Sequence, residues 1–323
     1  MPVKNTELYL EECLNSIINQ TETSWELLAV NDHSTDGTLA ILNRFSKLDN
    51  RIQVFQNQGS GIIEALRLAY SKSKGNYITR MDADDVMPNI KLENLKQQLQ
   101  TNGNGYVATG LVNYFADYPI GNGYQKYQDW LNRLIQNGTN FSEIYKECPV
   151  PSPCWMVHRD DFNKCEAFLP NRYPEDYDLA FRFYKYGLKV IPCSETLHLW
   201  RDYSHRTSRT DDNYADNTFL DIKLHYFLSL AYQKEKTLTL WGAGNKGKTI
   251  AKKLTEQNIP FQWVCNNPKK IGKHIYNTLL TSEETIHNTK NLQFIITVAN
   301  PKEQEEIKEK LREMNTPNYY FFC

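Results

Sequence analysis

The sequence predicts an α/β chain with a doubly wound, mostly parallel sheet and a second, smaller α/β domain. Three observations carry this prediction. Short apolar runs alternate with segments of helical period from residue 7 onward. Two of those runs end in carboxylates: Trp25–Val30 leads into Asn31-Asp32, and Tyr77–Thr79 leads into Asp82, Asp84 and Asp85. A Gly-x-Gly-x-x-Gly turn, Gly242 to Gly247, then restarts the alternation after the run Thr237–Trp241. At 323 residues the chain exceeds the usual size of one domain, and the two periodic regions divide it into 1–233 and 236–323.

The elements follow in order. Leu10, Cys13, Leu14, Ile17 and Ile18 share one helical face. Trp25–Val30 reads as a buried strand, and Leu39, Leu42 and Phe45 mark the helix after it. A short strand at Ile52–Phe55 precedes a helix from about Gly61 to Ser73, with Ile62, Ile63, Leu66, Ala69 and Tyr70 inward. Gly75 punctuates the chain before the strand Tyr77–Thr79, and Tyr106–Val112 is a further strand. Residues 115–147 are polar, rich in Gly and Asn, and show no clean period. The prolines of Cys148–Cys154 impose a rigid extended loop that leads into the strand Trp155–His158. Leu179, Phe183 and Tyr186 then define a helix that begins at Glu175.

A buried strand that ends in three carboxylates calls for a cation. Asp82 and Asp84, one residue apart, can converge on a hard divalent ion such as Mn²⁺ or Mg²⁺, which takes oxygen ligands. A solvated acidic turn is the plainer alternative. In open α/β sheets ligands bind outside the carboxyl ends of the strands, so two acidic strand ends predict a nucleotide cleft. Asn31 and Asp32 would then meet a base or ribose. Glu175 and Asp176 stand in the first turn of a helix, where negative charge is stabilised. Either they cap that helix, or one of them is a general base. Arg201, His205, Arg206 and Arg209 crowd a polar stretch suited to phosphate oxygens or to plain solvation.

Met1-Pro-Val-Lys-Asn5, Val30-Asn-Asp-His-Ser-Thr-Asp-Gly-Thr38, Arg80-Met-Asp-Ala-Asp-Asp85 and Glu175-Asp-Tyr-Asp178 occur in that order. Over roughly its first two thirds the chain thereby resembles a family 2 glycosyltransferase of the GT-A fold. The resemblance implies inverting transfer of a sugar from a nucleotide-sugar donor, a UDP-sugar by default, to a hydroxyl of a glycan, polysaccharide or lipid-linked acceptor. It implies a divalent metal on the diphosphate, held by Asp84 with Asp82, and Asp176 as the base with Glu175 beside it. Pro2, Asn31 and Asp32 fall on the donor side. The region 115–147 falls on the acceptor side, with Tyr127 and Trp130 as sugar platforms or as buried aromatics of a helix. The Cys148–Cys154 loop borders the acceptor pocket and offers Ser152. Two departures stand out. The family's first strand precedes the Pro-Val-x-Asn turn, so here it is expected to be mostly missing, weakening sheet and nucleotide site. Lys4 replaces a frequent Tyr. Two other readings compete: a sugar-phosphate nucleotidyltransferase, which would need a Gly-rich basic loop near the N-terminus, and a non-catalytic nucleotide-binding module.

In the second domain, the Gly242, Gly244 and Gly247 turn sits between a strand and a helix containing Ile250, Ala251 and Leu254. Strands at Phe261–Val264 and Phe294–Val298, a helix from about Lys302 to Met314, and a closing run at Asn318–Phe322 complete a small Rossmann-like unit. The acidic residue that would bind a dinucleotide's ribose is replaced by Cys265-Asn266-Asn267. The glycines therefore serve tight packing, or hold a mononucleotide or sugar phosphate at the helix start. NAD is the weaker reading.

The net charge of -1 argues against a nucleic-acid partner. No apolar stretch is long enough to span a bilayer, and residues 1–12 lack a signal-peptide core. A cytoplasmic protein is expected, peripherally bound to membrane if its acceptor is lipid-linked. The 7 cysteines are scattered and odd in number, which suits free thiols. Cys148, Cys154, His158 and Cys165 match no standard zinc spacing.

Overall fold

The computed structural model describes residues 1–204, 206, 219–289 and 291–323, and falls into two compact units. Unit 1 comprises Met1–Ser142 with Cys148–Arg209, and unit 2 comprises Glu143–Glu147 with Thr210–Cys323.

In unit 1 the chain runs β1 (Pro2–Val3), α1 (Leu10–Ile18), β2 (Leu27–Asn31), α2 (Thr38–Leu48), β3 (Ile52–Gln56), α3 (Ile62–Lys72) and β4 (Tyr77–Thr79). It continues with α4 (Lys91–Asn102), β5 (Tyr106–Phe115), α5 (Asn122–Asn137), β6 (Trp155–His158), α6 (Arg159–Lys164), α7 (Glu175–Lys185) and β7 (Lys189–Arg201). Strands β1, β2 and β3 form a parallel sheet. A mixed sheet of order β4-β6-β5-β7 has β6 antiparallel to β4 and β5, and β7 parallel to β5. All five residues of β2 are buried, as expected of a strand covered on both faces. Leu10, Leu14 and Ile17 of α1 join Leu92, Leu95 and Leu99 of α4 in the main core.

Strand β1 has two residues and pairs Pro2 with Val30 and Val3 with Asn31. Among the described residues no ladder joins β2 to β4. Between them lies a cavity of about 590 Å³ lined in part by Leu27, Leu28, Ile78 and Thr79.

Part of the irregular region around 115–147 is in fact regular. The 16-residue helix α5 occupies it and buries Leu131, Leu134 and Ile135. Its period is hard to see because Gly121, Asn122 and Gly123 open it, while Tyr127 and Trp130 extend the apolar face. Both aromatics pack against the core, Tyr127 stacks on Trp130 and Trp200, and its hydroxyl donates to Cys148 O at 2.9 Å. The buried-aromatic alternative fits them better than a sugar platform.

Unit 2 runs α8 (Leu220–Leu230), β8 (Thr237–Trp241), α9 (Asn245–Glu256), β9 (Gln262–Cys265), β10 (His274–Ile275), β11 (Thr278–Ser282), β12 (Leu292–Ile296), α10 (Pro301–Glu313) and β13 (Tyr319–Phe321). Its sheet has the order β10-β11-β9-β8-β12-β13, parallel apart from the β10–β11 hairpin. The hairpin is absent from the sequence reading, because Tyr276 and Asn277 make the turn at positive φ without a glycine. Helix α8 clusters with this unit, whereas the sequence places residues up to 233 with the first; Lys223 donates to Phe322 O, and Phe227 packs on Phe322. All seven cysteines are free thiols, six of them buried. Among the described residues no helix is long and apolar enough to cross a membrane.

Candidate active site

The acidic turn leaves the carboxyl end of β4. Its alternating residues divide the work: Asp82 and Asp84 are half-buried, while Asp85 is fully buried. Arg80, 7% exposed, donates from Nε to Asp82 Oδ1 at 3.0 Å and from Nη1 to Glu175 Oε1 at 2.8 Å. One guanidinium thus ties the acidic turn to the first residue of α7. Burial works against the Asp82 charge, but Arg80, with Arg206, outweighs it and holds Asp82 below the usual carboxylate range.

Asp84 is in the opposite state. Burial, then the neighbouring Asp85, push its carboxyl up to about 6, against the pull of Arg206. Tyr203 Oη donates to Asp84 Oδ2 at 3.0 Å, and Arg201 Nε donates to Asp84 O at 2.8 Å. Asp85 turns inward, accepting from His198 Nε2 at 2.9 Å and from Arg201 N at 2.9 Å. Asp82 and Asp84, the two half-buried carboxylates of the turn, are the pair that would hold a divalent cation. Among the described residues no group of three or more His, Cys, Asp or Glu side chains forms a ready cation cage, so this pair would share its ion with ligand oxygens.

Helix α7 begins at Glu175 after Pro174, with no side-chain cap. Asp176 Oδ1 accepts from Tyr177 N at 2.7 Å. Burial, reinforced by Glu175 and opposed by Arg80, raises the Asp176 carboxyl to about 7, the range useful to a general base near neutrality. Asp178 belongs to the framework: it is 1% exposed and paired with Arg182 and Arg172.

On the other side of β1, Asp32 is 4% exposed at the end of β2. Its Oδ1 accepts from Asn57 Nδ2 at 2.6 Å and Gly61 N at 3.1 Å, its Oδ2 also accepts from Gly61 N, and Lys4 Nζ stands 3.4 Å away. Asn31 donates to Gln56 Oε1 at 2.9 Å, while its own buried Oδ1 has no partner. An unsatisfied buried acceptor costs about 1–3 kcal/mol, which a ligand N–H would relieve. Pro2 lies in β1 beside this point, opposite Val30.

The basic cluster is divided. The Arg201 guanidinium pairs with Glu12 and lies over Tyr9 and Phe115, 4.9 and 4.5 Å from their ring centroids. It is thus a strut of the acidic turn. The Arg206 guanidinium is held firmly charged by Asp85, Asp84 and Asp82, despite the burial that opposes its charge. His205 and Arg209 lie outside the described residues. Sequence reasoning missed Arg80, Asn57 and Tyr203. Arg80 had a readable signal, since it alternates with Asp82 and Asp84 along an extended segment.

In unit 2 the glycine turn opens on a cavity of about 400 Å³ at the carboxyl ends of β8, β9 and β12. The three glycines play different parts. Gly242 holds φ +116°, Gly244 faces open space, and a Cβ on Gly247 would lie 2.1 Å from Gly242 O. Gly242 and Gly244 line the cavity together with Cys265, Asn266 and Asn267, while Gly247 permits the close packing of α9 against the turn.

Comparisons with known proteins identify the family. The model of the family "Glycosyl transferase family 2" matches residues 1–165. Glycosyltransferase GlyG of Streptococcus pneumoniae is 28% identical over 218 residues, covering 65% of this chain and 72% of its own. The crystal structure of S. aureus TarS 1–349 aligns with TM-score 0.52 at 18% identity, over 72% of this chain and 65% of that one. A mannosyltransferase from Pyrobaculum calidifontis, solved with GDP-Man and Mn²⁺, aligns with TM-score 0.51 at 16% identity, over 71% and 61%. Fold, motif order and family match converge, and the chain belongs to glycosyltransferase family 2.

Proposed function

We propose that this glycosyltransferase moves a sugar, with inversion, from a nucleoside-diphosphate sugar to a hydroxyl of a glycan or polysaccharide acceptor, with Asp176 as the general base. The observation that carries the proposal is the Arg80 bridge. By bonding both Asp82 and Glu175, it ties the acidic turn to the start of α7 at the carboxyl end of β4.

In this reading each group has a task. Asn31 and Asp32 receive the base and ribose, and the unpartnered Asn31 Oδ1 supports this. Asp84, helped by Asp82, would hold Mn²⁺ or Mg²⁺, which supplies charge neutralisation at the departing diphosphate when bound. Arg206 adds positive charge beside the same turn. Asp176 takes the proton of the acceptor hydroxyl as its oxygen attacks the anomeric carbon, while the bond to the diphosphate oxygen breaks on the opposite face. Arg80 Nη1 donates to Glu175 Oε1 at 2.8 Å and so occupies that carboxylate, leaving Asp176 to exchange the proton. A UDP-sugar is the default donor from the family resemblance. The cavity of unit 2, with a glycine turn but Asn266 and Asn267 where a ribose-binding acid would stand, suits a mononucleotide or sugar phosphate better than a dinucleotide.

The test is a panel of UDP-, GDP- and dTDP-sugars with Mn²⁺, read by release of the nucleoside diphosphate. Turnover with one donor that is lost in Asp176→Asn supports the proposal. Pyrophosphate release from a nucleoside triphosphate and a sugar phosphate would establish nucleotidyl transfer instead. Nucleotide binding without turnover in any combination would mark a non-catalytic module.

A further inference from the structure

Behind the acidic turn lies a line of buried ionisable groups that the mechanism above does not use. Lys91, the first residue of α4, is 0% exposed. Its Nζ donates to Pro153 O at 2.6 Å and stands 3.1 Å from His198 Nδ1. His198, also 0% exposed, places Nε2 2.9 Å from Asp85 Oδ2. An ammonium can only donate, so Nδ1 accepts from Lys91 and the ring proton sits on Nε2, donated to Asp85. The tautomer follows from the partners on either side. The second oxygen of Asp85 accepts from Arg201 N at 2.9 Å.

Burying Lys91 and Asp85 is costly unless both are paired and hydrogen-bonded, and a neutral imidazole connects them here. The backbone alone already staples the turn to β7: Val86 N donates to Leu199 O at 3.1 Å, and Leu199 N donates to Val86 O at 2.9 Å. His198 adds control of a side chain. It holds the Asp85 carboxylate inward, so that Asp82 and Asp84, and not all three carboxylates, keep access to solvent. At its far end Lys91 grips Pro153, within the rigid Cys148–Cys154 loop where Ser152 Oγ is buried without a partner.

We propose that Lys91, His198 and Asp85 form a positioning relay that sets the Asp82–Asp84 turn for the metal–diphosphate unit and registers it with the Pro-rich loop. This rests on the donor-site reading above. None of the three is a catalytic residue; they act through Asp84.

The test compares His198→Phe, His198→Gln and Lys91→Met in the full chain, titrated with Mn²⁺ in the presence of UDP and GDP and read by the free-Mn²⁺ paramagnetic resonance signal. His198→Phe keeps a ring but no donor, and Gln restores an N–H toward Asp85. The relay predicts Mn²⁺ dissociation constants raised about tenfold or more by His198→Phe and Lys91→Met, with His198→Gln recovering most of the loss. A melting temperature lowered in His198→Phe with Mn²⁺ affinity within twofold of wild type would reduce the line to a structural support and overturn the proposal. If His198→Phe does not fold, Lys91→Met decides by the same threshold. A wild-type chain that takes up no Mn²⁺ with either nucleotide sinks the donor-site reading and the relay together. Uptake by wild type that His198→Phe and Lys91→Met leave unchanged sinks the relay alone.

Discussion

Replacing Arg80 with Met isolates the joint between the acidic turn and α7. Met retains much of the stem's volume and removes the guanidinium. The Arg80, Asp82 and Glu175 side chains are 6%, 22% and 9% exposed, so Glu175 loses a buried cation while Asp82 retains some access to water. Removing one partner of a buried pair costs about 3–5 kcal/mol, and the partial hydration of Asp82 puts Arg80→Met near the lower end, about 3 kcal/mol. For a domain of this size that lowers the melting temperature of unit 1 by about 6–12 °C. The pH dependence has a definite sign. Asp176 is raised from 3.8 to about 7, and Arg80 is the cation that opposes the rise. A carboxyl with a raised folded pKa binds its proton more tightly in the folded state. Its contribution therefore favours the fold at low pH and is lost as pH climbs toward the folded value. Without Arg80 that value climbs further, so the deficit should be larger at pH 8.5 than at pH 6. Differential scanning fluorimetry of both chains at the two pH values measures it. A melting-temperature loss under about 2 °C, or a larger loss at pH 6, would refute the reasoning.

Further outcomes follow from the same geometry. Asp176→Asn should lower the turnover number about 10²–10⁴-fold with donor affinity retained. In wild type, kcat/KM should fall as pH drops below about 7, because the base is active only when deprotonated; a profile flat from pH 5 to 8 would contradict this. In unit 2, Gly247→Ala would set a Cβ 2.1 Å from Gly242 O and should destabilise that unit by more than about 2 kcal/mol. Gly244→Ala, facing open space, should change stability by less than about 0.5 kcal/mol, as read by chemical denaturation.

Most of the strand–helix alternation was legible because helices such as α1 and α3 bury one face of clear period, and because Leu27–Val30 of β2 is an unbroken apolar run. The acidic turn and the start of α7 were legible as charges placed where an apolar run gives no structural reason for them. Helix α5 was not, since Gly and Asn at its start mask the period and its aromatics read equally well as a binding surface. Nor was Arg80. Its partner Glu175 lies 95 residues away, and no local pattern encodes a contact of that range. The relay through His198 is hidden for the same reason: Lys91 and Asp85 reach it across 107 and 113 residues. Arg201 shows the converse. Its basic surroundings suggested phosphate contact, but two aromatic rings and Glu12 enclose it.

The central claim is that the carboxyl ends of β2 and β4 hold a nucleoside diphosphate with a divalent cation. Thermal shift of the purified chain with UDP, GDP, dTDP, CMP and NAD, each with Mn²⁺ or with EDTA, tests it most directly, because a ligand bound only by the folded state raises the melting temperature by mass action. Stabilisation by a nucleoside diphosphate should be larger with Mn²⁺ than with EDTA and be lost in Asp84→Asn. Stabilisation by NAD alone, or by none of the five under either condition, would contradict it.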